Sequence, residues 1–501
     1  MSRVRVRVSP HQGEESQPRS SSERVWSMDE RSHELSCIPV ARVPAAAFAA
    51  GGSDPVILSD AFFPPADLIE SMLRELPVLE GTVERSAAPA VLYHAHKKPL
   101  ANVRAFRKRH TDVINNMTLH EFVSKLDATS ASTAWLRSTA GSGNWCPTAS
   151  WLYYSAPNGS APIEYVRSRP QLAAILARMS SLANLAAAAY GGNAISAQQD
   201  GHASNIHSEN FWLGGGGVTA FNHYDASWNA YAQLHGTKQF RLTPPRTAES
   251  QLRPHSYLHP YFRRTQLSPL ESELHAPCVT DASVATPPSS EAPAPAAVRP
   301  SRELFEATLS AGDVLVLPPF IFHHVTADSA LSVSLNSWAH DRAMLRVQRL
   351  VRSAGTRLGL LPHLHDWNAS REVKAAVVEA TSASLVSATL GMDSLERARG
   401  WLHERLASRW RPVSVRYPRA MQKLRHFCAP GESAAARAAM AASRTPSETS
   451  GAIRAAADAL RELQPLGGDG LETANVVEQL ALDVLEDVRT TGSFLANCFA
   501  S

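Results

Sequence analysis

Hydrophobic and polar positions change rhythm along the chain, and the changes outline its elements. A polar start gives way near Ile38 to an apolar pattern that runs to about Leu79. Within it, Asp54–Asp60 (DPVILSD) predicts a short strand and Pro64–Leu76 a helix with proline in its first turn. Leu119, Phe122, Val123 and Leu126 fall at helical spacing and predict an amphipathic helix over Met117–Ala128. Ala149–Pro157 predicts a strand, and Arg169–Gly192 a helix that stops at glycines. From Asn210 to Pro245 short strand-like runs alternate with Gly and Pro. Asn229–Leu234, a turn at His235-Gly236-Thr237, and Lys238–Thr243 are expected to form a hairpin.

Residues from about 250 to 302 are loop-like, and Ser283–Pro300 is rich in Pro, Ala and Ser, the composition of a flexible insertion. Strand signals return at Leu304–Leu309 and continue to Trp338, and from His340 the pattern is helical almost to the end. Asp341–Leu361 carries one apolar stripe, two further helices follow, and an Ala-rich block covers Glu432–Asp487. The expected organisation is a disordered tail over 1–35, supporting α/β elements over 36–200, a barrel core over 201–340 interrupted by the insertion, and a helical region over 341–501. Many short strands with turn punctuation suit a sandwich or jelly roll, so the fold class is a mostly β core with α flanks.

Composition narrows this little. A chain of 501 residues with 44% hydrophobic and 19% charged content is ordinary for a globular protein that buries a sizeable core. A net charge of +3 gives no argument for nucleic acid or for an anionic membrane as partner, so nucleic acid and membrane are not expected partners. Ala105–His110 (AFRKRH) is the one local basic stretch, best explained as a solvated face. No apolar run is expected to reach the roughly 20 residues that span a bilayer. The 5 cysteines are scattered without a CxxC, which argues against disulfides and structural zinc and suits a reducing compartment, cytoplasm or nucleus. The Arg- and Ser-rich start leaves organellar targeting open, although Glu14, Glu15 and Glu23 weigh against it.

The chemistry concentrates in Phe211–Pro245 and Gly312–Val325. The first block holds His223 and Asp225, with Lys238 fifteen residues after the histidine; the second holds His323 and His324. Two histidines and one carboxylate are the ligand set of non-haem Fe(II) sites that keep coordination positions open, which is a setting for oxygen chemistry. A His-x-Asp pair is weak evidence by itself, since about one is expected by chance in such a chain. His110–Asp112 and His207–Glu209 are two rivals. Extended backbone over Phe221–Asp225 would point His223 and Asp225 the same way and Tyr224 the other way. His110–Asp112 lies in a charged stretch with no strand signal, and His207–Glu209 in a polar loop. Adjacent strand residues face opposite sides, so only one of His323 and His324 should reach the ion. In SALSVSLNSW, Leu331, Val333 and Leu335 share one face, while Ser332, Ser334, Asn336 and Trp338 share the other, a polar inner face suited to a pocket.

FWLG…TAFNHYDASWNAYAQLHGTKQFRLTPP followed by GDVLVLPPFIFHHV…SVSLNSW resembles the JmjC-domain 2-oxoglutarate oxygenases, and within them the cupin-like hydroxylases of the factor-inhibiting-HIF type. The resemblance covers roughly Ile38–His340 and is strong in 210–245 and 311–338. It implies a double-stranded β-helix that binds Fe(II) through His223, Asp225 and His323, the first of the two adjacent histidines. It implies that Lys238 pairs with the distal carboxylate of 2-oxoglutarate, and that Asn229 and Asn336 line the co-substrate pocket. Where the family places a threonine, three residues before the first histidine, this chain has Ala220; Thr219 is the substitute if a one-residue bulge brings it inward. An upstream family tyrosine corresponds to Tyr153 or Tyr154.

The activity implied is O₂-dependent hydroxylation of a protein side chain, with 2-oxoglutarate as co-substrate. N-methyl-lysine demethylation and hydroxylation of an RNA nucleoside use the same core. They are weakened by the lack of a zinc-finger or histone-reader segment and by the near-neutral charge. A catalytically silent cupin scaffold is the rival of another class. The C-terminal helices fit either a homodimer interface, as in related hydroxylases, or a cap on the barrel.

Overall fold

The computed structural model describes residues 36–45, 54–76, 82–86, 111–115, 117–126, 151–191, 209–267, 303–340, 371–416 and 446–485, with short pieces between and after them. The tail over 1–35, His110, His207, Ser283–Pro300 and most of Asp341–Leu361 lie outside the described residues.

The first strands are β1 Ser36–Pro39, β2 Ala41–Pro44, β3 Val56–Ser59, β4 Thr82–Ser86, β5 Ala90–Val91, β6 Thr111–Asn115 and β7 Trp151–Pro157. The core strands follow as β8 Glu209–Gly215, β9 Thr219–His223, β10 Trp228–His235, β11 Lys238–Thr243, β12 Glu303–Leu309, β13 Val314–Leu317, β14 Phe322–Ala327 and β15 Leu331–Ala339. Among the described residues they form two sheets, one ordered β1-β12-β11-β14-β9-β5 and one ordered β2-β3-β13-β10-β15-β8-β7-β4-β6. From β8 to β15 the chain passes repeatedly between the sheets, which is the jelly-roll connection of a double-stranded β-helix.

That crossing corrects the expected hairpin. β10 pairs with β13 and β15, whereas β11 pairs with β12 and β14. The two strands lie where the sequence places them, but Gly236 carries the chain from one sheet to the other. It can do so because it sits at φ 72°, and a side chain there would run into the Leu331 carbonyl and Ser329. Gly236→Ala is expected to destabilise the protein by roughly 2 kcal/mol or more, read as the shift of a urea midpoint at unchanged slope.

Strand alternation sorts side chains into an interior and an outer layer. Tyr153, Trp212, Tyr231, Phe240, Leu242, Leu315, Leu317 and Val325 make the interior apolar cluster between the sheets. The opposite faces of β8, β10 and β15 join the large outer core through Phe211, Leu213, Ala230, Ala232, Val333 and Leu335. The helix Pro170–Gly191 covers the nine-stranded sheet at β10 and β15. Contrary to expectation, this helix is long and apolar enough, by length and composition, to cross a membrane. Its Leu172, Ile175, Leu176, Met179, Ala183, Ala186 and Ala187 are buried, so its apolar face is accounted for by the sheet beneath it.

Other local expectations shift. The helix after Pro64 begins only at Leu68 and runs to Glu75. The helix over 119–126 is fixed by a capping box, in which Glu121 N donates to Thr118 Oγ1 at 3.1 Å and Thr118 N to Glu121 Oε2 at 2.9 Å. Thr111–Asn115, expected to carry no strand, pairs as β6 with β4. The stretch after 250 is loop-like but packed as far as 267, with Ser256, Leu258, His259, Arg264 and Thr265 buried. In the C-terminal region Arg371–Leu390 packs against Leu395–Arg416, Pro446–Arg461 and Asp469–Leu485.

Candidate metal centre

β9 and β14 pair so that His223 and His323 lie directly opposite each other. Their ring centroids are 4.1 Å apart. Each ring is held in the same way: His223 Nδ1 donates to the Phe221 carbonyl at 2.8 Å and His323 Nδ1 to the Ile321 carbonyl at 3.0 Å. A carbonyl oxygen only accepts, so both neutral rings carry their proton on Nδ1 and their lone pair on Nε2. This is the outer support that metal-binding histidines require. Burial pushes His323 below its usual range, against the opposing pull of Asp225, which favours the neutral ring that can donate a lone pair. His323 Nε2 lies 3.9 Å from Asp225 Oδ2.

Strand pairing ends at His223, and Tyr224 and Asp225 are fixed individually. Tyr224 N donates to Arg263 O at 3.0 Å, and Phe320 N donates to Asp225 O at 2.8 Å. Tyr224 points away from the pair, as expected, and its ring packs on Phe320 and Phe322. Asp225 Oδ2 accepts a bond from Trp338 Nε1 at 3.1 Å. Phe320 holds φ 67°, a left-handed conformation costly for a side chain of this size, at the bend that delivers β14.

His323 pairs across from Leu242 and faces the interior; His324 pairs across from Arg241 and faces out, beside Phe221. The geometry therefore separates the two adjacent histidines. Among the described residues no group of three His, Cys, Asp or Glu side chains is placed to hold a metal ion. Backbone pairing sets 223 against 323, with 225 two residues on from 223. The donor set of two imidazoles and one carboxylate, with no thiolate, suits Fe(II).

The polar face expected of β15 forms one bonded row. Trp338 bonds Asp225, Asn336 Nδ2 donates to Asn229 Oδ1 at 3.0 Å, Ser334 meets Tyr231 and Lys238, and Ser332 accepts from Gln233 at 2.9 Å. Lys238 reaches from β11 across to the other sheet and donates to Tyr231 Oη at 2.5 Å and Ser334 Oγ at 2.9 Å. It is 2% exposed, and both hydrogen-bond partners are neutral hydroxyls. Burial alone pulls its pKa down to about 7. A buried cation bonded only to neutral hydroxyls is costly, and an anionic partner would relieve that cost.

One expected residue is displaced. The β9–β14 register slips between His323 and Val325, so β9 holds one extra residue there. The bulge comes after position 220, not before it, and it turns Ala220 inward opposite Val325. Thr219 faces out, where its hydroxyl meets Thr326 Oγ1 at 3.2 Å. Thr219 is therefore not a pocket residue, and the inward position carries no hydroxyl. Tyr153 lies in the interior cluster against Trp212, with centroids 5.6 Å apart, whereas Tyr154 lies in the outer core. Sequence reasoning placed Ser334 and Trp338 on the polar inner face but missed Tyr231 as a partner of the site; the alternation of β10 held that signal.

Replacing Trp338 by phenylalanine removes one donor to Asp225 and keeps an aromatic ring. It is expected to weaken Mn(II) binding by about tenfold without changing the fold, as measured by electron paramagnetic resonance titration and circular dichroism.

Comparison with known proteins sets this geometry in a family. A family model described as a cupin-like domain matches residues 63–343, more than half of the chain. Lysine-specific demethylase JMJ32 of Arabidopsis thaliana is 34% identical over 141 residues, which is 26% of this chain and 40% of that protein. The matched portion thus falls well short of two thirds of that relative.

Proposed function

This chain belongs to the cupin-like domain family, and from that premise we propose that it is an Fe(II)- and 2-oxoglutarate-dependent dioxygenase that hydroxylates a protein side chain. The observation that carries the reading is the opposition of His223 and His323 with both Nδ1 atoms committed to carbonyls, beside Asp225. His223, Asp225 and His323 would hold Fe(II), and Lys238 would hold the far carboxylate of 2-oxoglutarate, with Tyr231 and Ser334 fixing its ammonium group. When bound, the metal and co-substrate supply O₂ activation coupled to oxidative decarboxylation. The residues of this chain position, orient and exclude water. Asn229 and Asn336 hold each other across β10 and β15, and Trp338 fixes the carboxylate that completes the ligand set.

No side chain is required as acid, base or nucleophile. The test is succinate formation by the purified protein with Fe(II), 2-oxoglutarate and O₂. Turnover lost in the His223→Ala variant supports the proposal; a protein that binds metal but never forms succinate is a scaffold.

The match to a lysine-specific demethylase favours a second reading, N-methyl-lysine demethylation. Formaldehyde release from methyl-lysine peptides would establish it, whereas retained added oxygen, a gain of about 16 Da on a partner protein, would establish hydroxylation.

A further inference from the structure

The C-terminal helices meet the barrel through a buried polar cluster rather than through apolar contact alone. Glu478, on the helix Asp469–Leu485, is 0% exposed and accepts from Ser256 Oγ at 2.6 Å and Tyr257 N at 2.5 Å. Arg409, on the helix Leu395–Arg416, donates to Glu478 Oε1 at 3.3 Å and Asn475 Oδ1 at 2.9 Å. Asn475 Nδ2 in turn reaches Tyr224 Oη at 3.4 Å. One turn before Arg409, Arg405 pairs with buried Glu249 at 3.3 Å. Gly468, just before Asp469–Leu485, leaves the space that the Phe320 ring fills.

These contacts converge on a short stretch of backbone. Tyr224 stands between His223 and Asp225, and Phe320 N bonds the Asp225 carbonyl. The segment after Ser256 folds back so that Arg264 bridges to His223, Arg263 O accepts from Tyr224 N, and Thr265 N donates to Asn222 O. The helical region therefore grips both the loop that carries two candidate metal ligands and the segment that pairs with it. A buried ion pair is a poor way to gain stability, but it is demanding about geometry, and losing one partner is severe.

We propose that Asn475, Glu478 and Arg409 are positioning residues that fix the His223–Asp225 loop, so that the C-terminal helices are part of the metal centre rather than an appended domain. The metal part of this rests on the function proposed above. The grip on residues 222–226 and 254–265 does not.

The test uses the full chain and three variants, Glu478→Leu, Glu478→Gln and Asn475→Leu. Two measurements are made: amide hydrogen exchange, and Mn(II) affinity by electron paramagnetic resonance. In Glu478→Leu, exchange over 222–226 and 254–265 should quicken by about tenfold while β10, β13 and β15 stay protected, and Mn(II) affinity should fall by about tenfold. Glu478→Gln, which keeps an acceptor for Ser256 and Tyr257, should recover most of both. Folded Glu478→Leu with unchanged exchange and unchanged Mn(II) affinity would overturn the proposal. If Glu478→Leu does not fold, Asn475→Leu is measured in the same two ways, and unchanged values there overturn the proposal equally. A wild-type protein that binds no Mn(II) would refute the metal reading, and exchange alone would then decide whether the helices hold this loop.

Discussion

His323→Ala is expected to abolish ion binding and succinate formation together while the barrel stays folded. The ring supplies one of two imidazole donors, and its Nδ1 bond to Ile321 O serves only to aim it. Losing it costs about 1–3 kcal/mol of packing in a domain of this size, which leaves the fold in place. The informative control is its neighbour. His324 is also buried but faces away from the barrel interior across from Arg241, so His324→Ala should lower stability by a similar amount and retain the ion. Metal content of the two purified variants separates them. Retained iron in His323→Ala, or lost iron in a folded His324→Ala, would reverse the assignment of the two residues.

The second large effect is at Lys238. Lys238→Met keeps the stem and removes the charge, and it is expected to raise the 2-oxoglutarate requirement by about 100-fold, the scale of a lost charge-assisted hydrogen bond in a buried site. An unchanged requirement would mean that another cation holds the co-substrate. The same burial gives a pH signature. In the folded chain without co-substrate Lys238 loses its proton near pH 7, whereas in the unfolded chain it keeps it to an ordinary lysine value of 10.5. Between those limits the unfolded state binds more protons, so this group's penalty is full below pH 7 and fades as pH rises. The thermal midpoint of the apo protein should therefore climb from pH 7 to pH 9 by an increment absent in Lys238→Met. Binding of the dianion needs the protonated form, so its affinity should fall by about tenfold per pH unit above pH 7.

Much of this architecture was legible in the chain. Period-two alternation in SALSVSLNSW marked the inner and outer faces of β15, because a strand buried on both sides between a polar pocket and an apolar layer separates its residues strictly. The same rule required that one of His323 and His324 face outward. What alternation cannot convey is which strand pairs with which. β10 and β11 read as a hairpin because a glycine turn joins two strands, and the turn residues are the same whether the chain folds back or crosses between sheets. The displacement of Thr219 has a similar cause: a bulge shifts every side chain before it, and its position depends on the register with β14 rather than on local sequence. The grip of Glu478 on Ser256 joins residues 222 apart in the chain and left no local signal.

Anomalous diffraction at the iron edge, from crystals loaded anaerobically with Fe(II), tests the central claim most directly. The account predicts a single iron peak per chain within coordination distance of His223 Nε2, His323 Nε2 and the Asp225 carboxylate. A peak elsewhere, or no peak between these three residues in a crystal that contains iron, would contradict it.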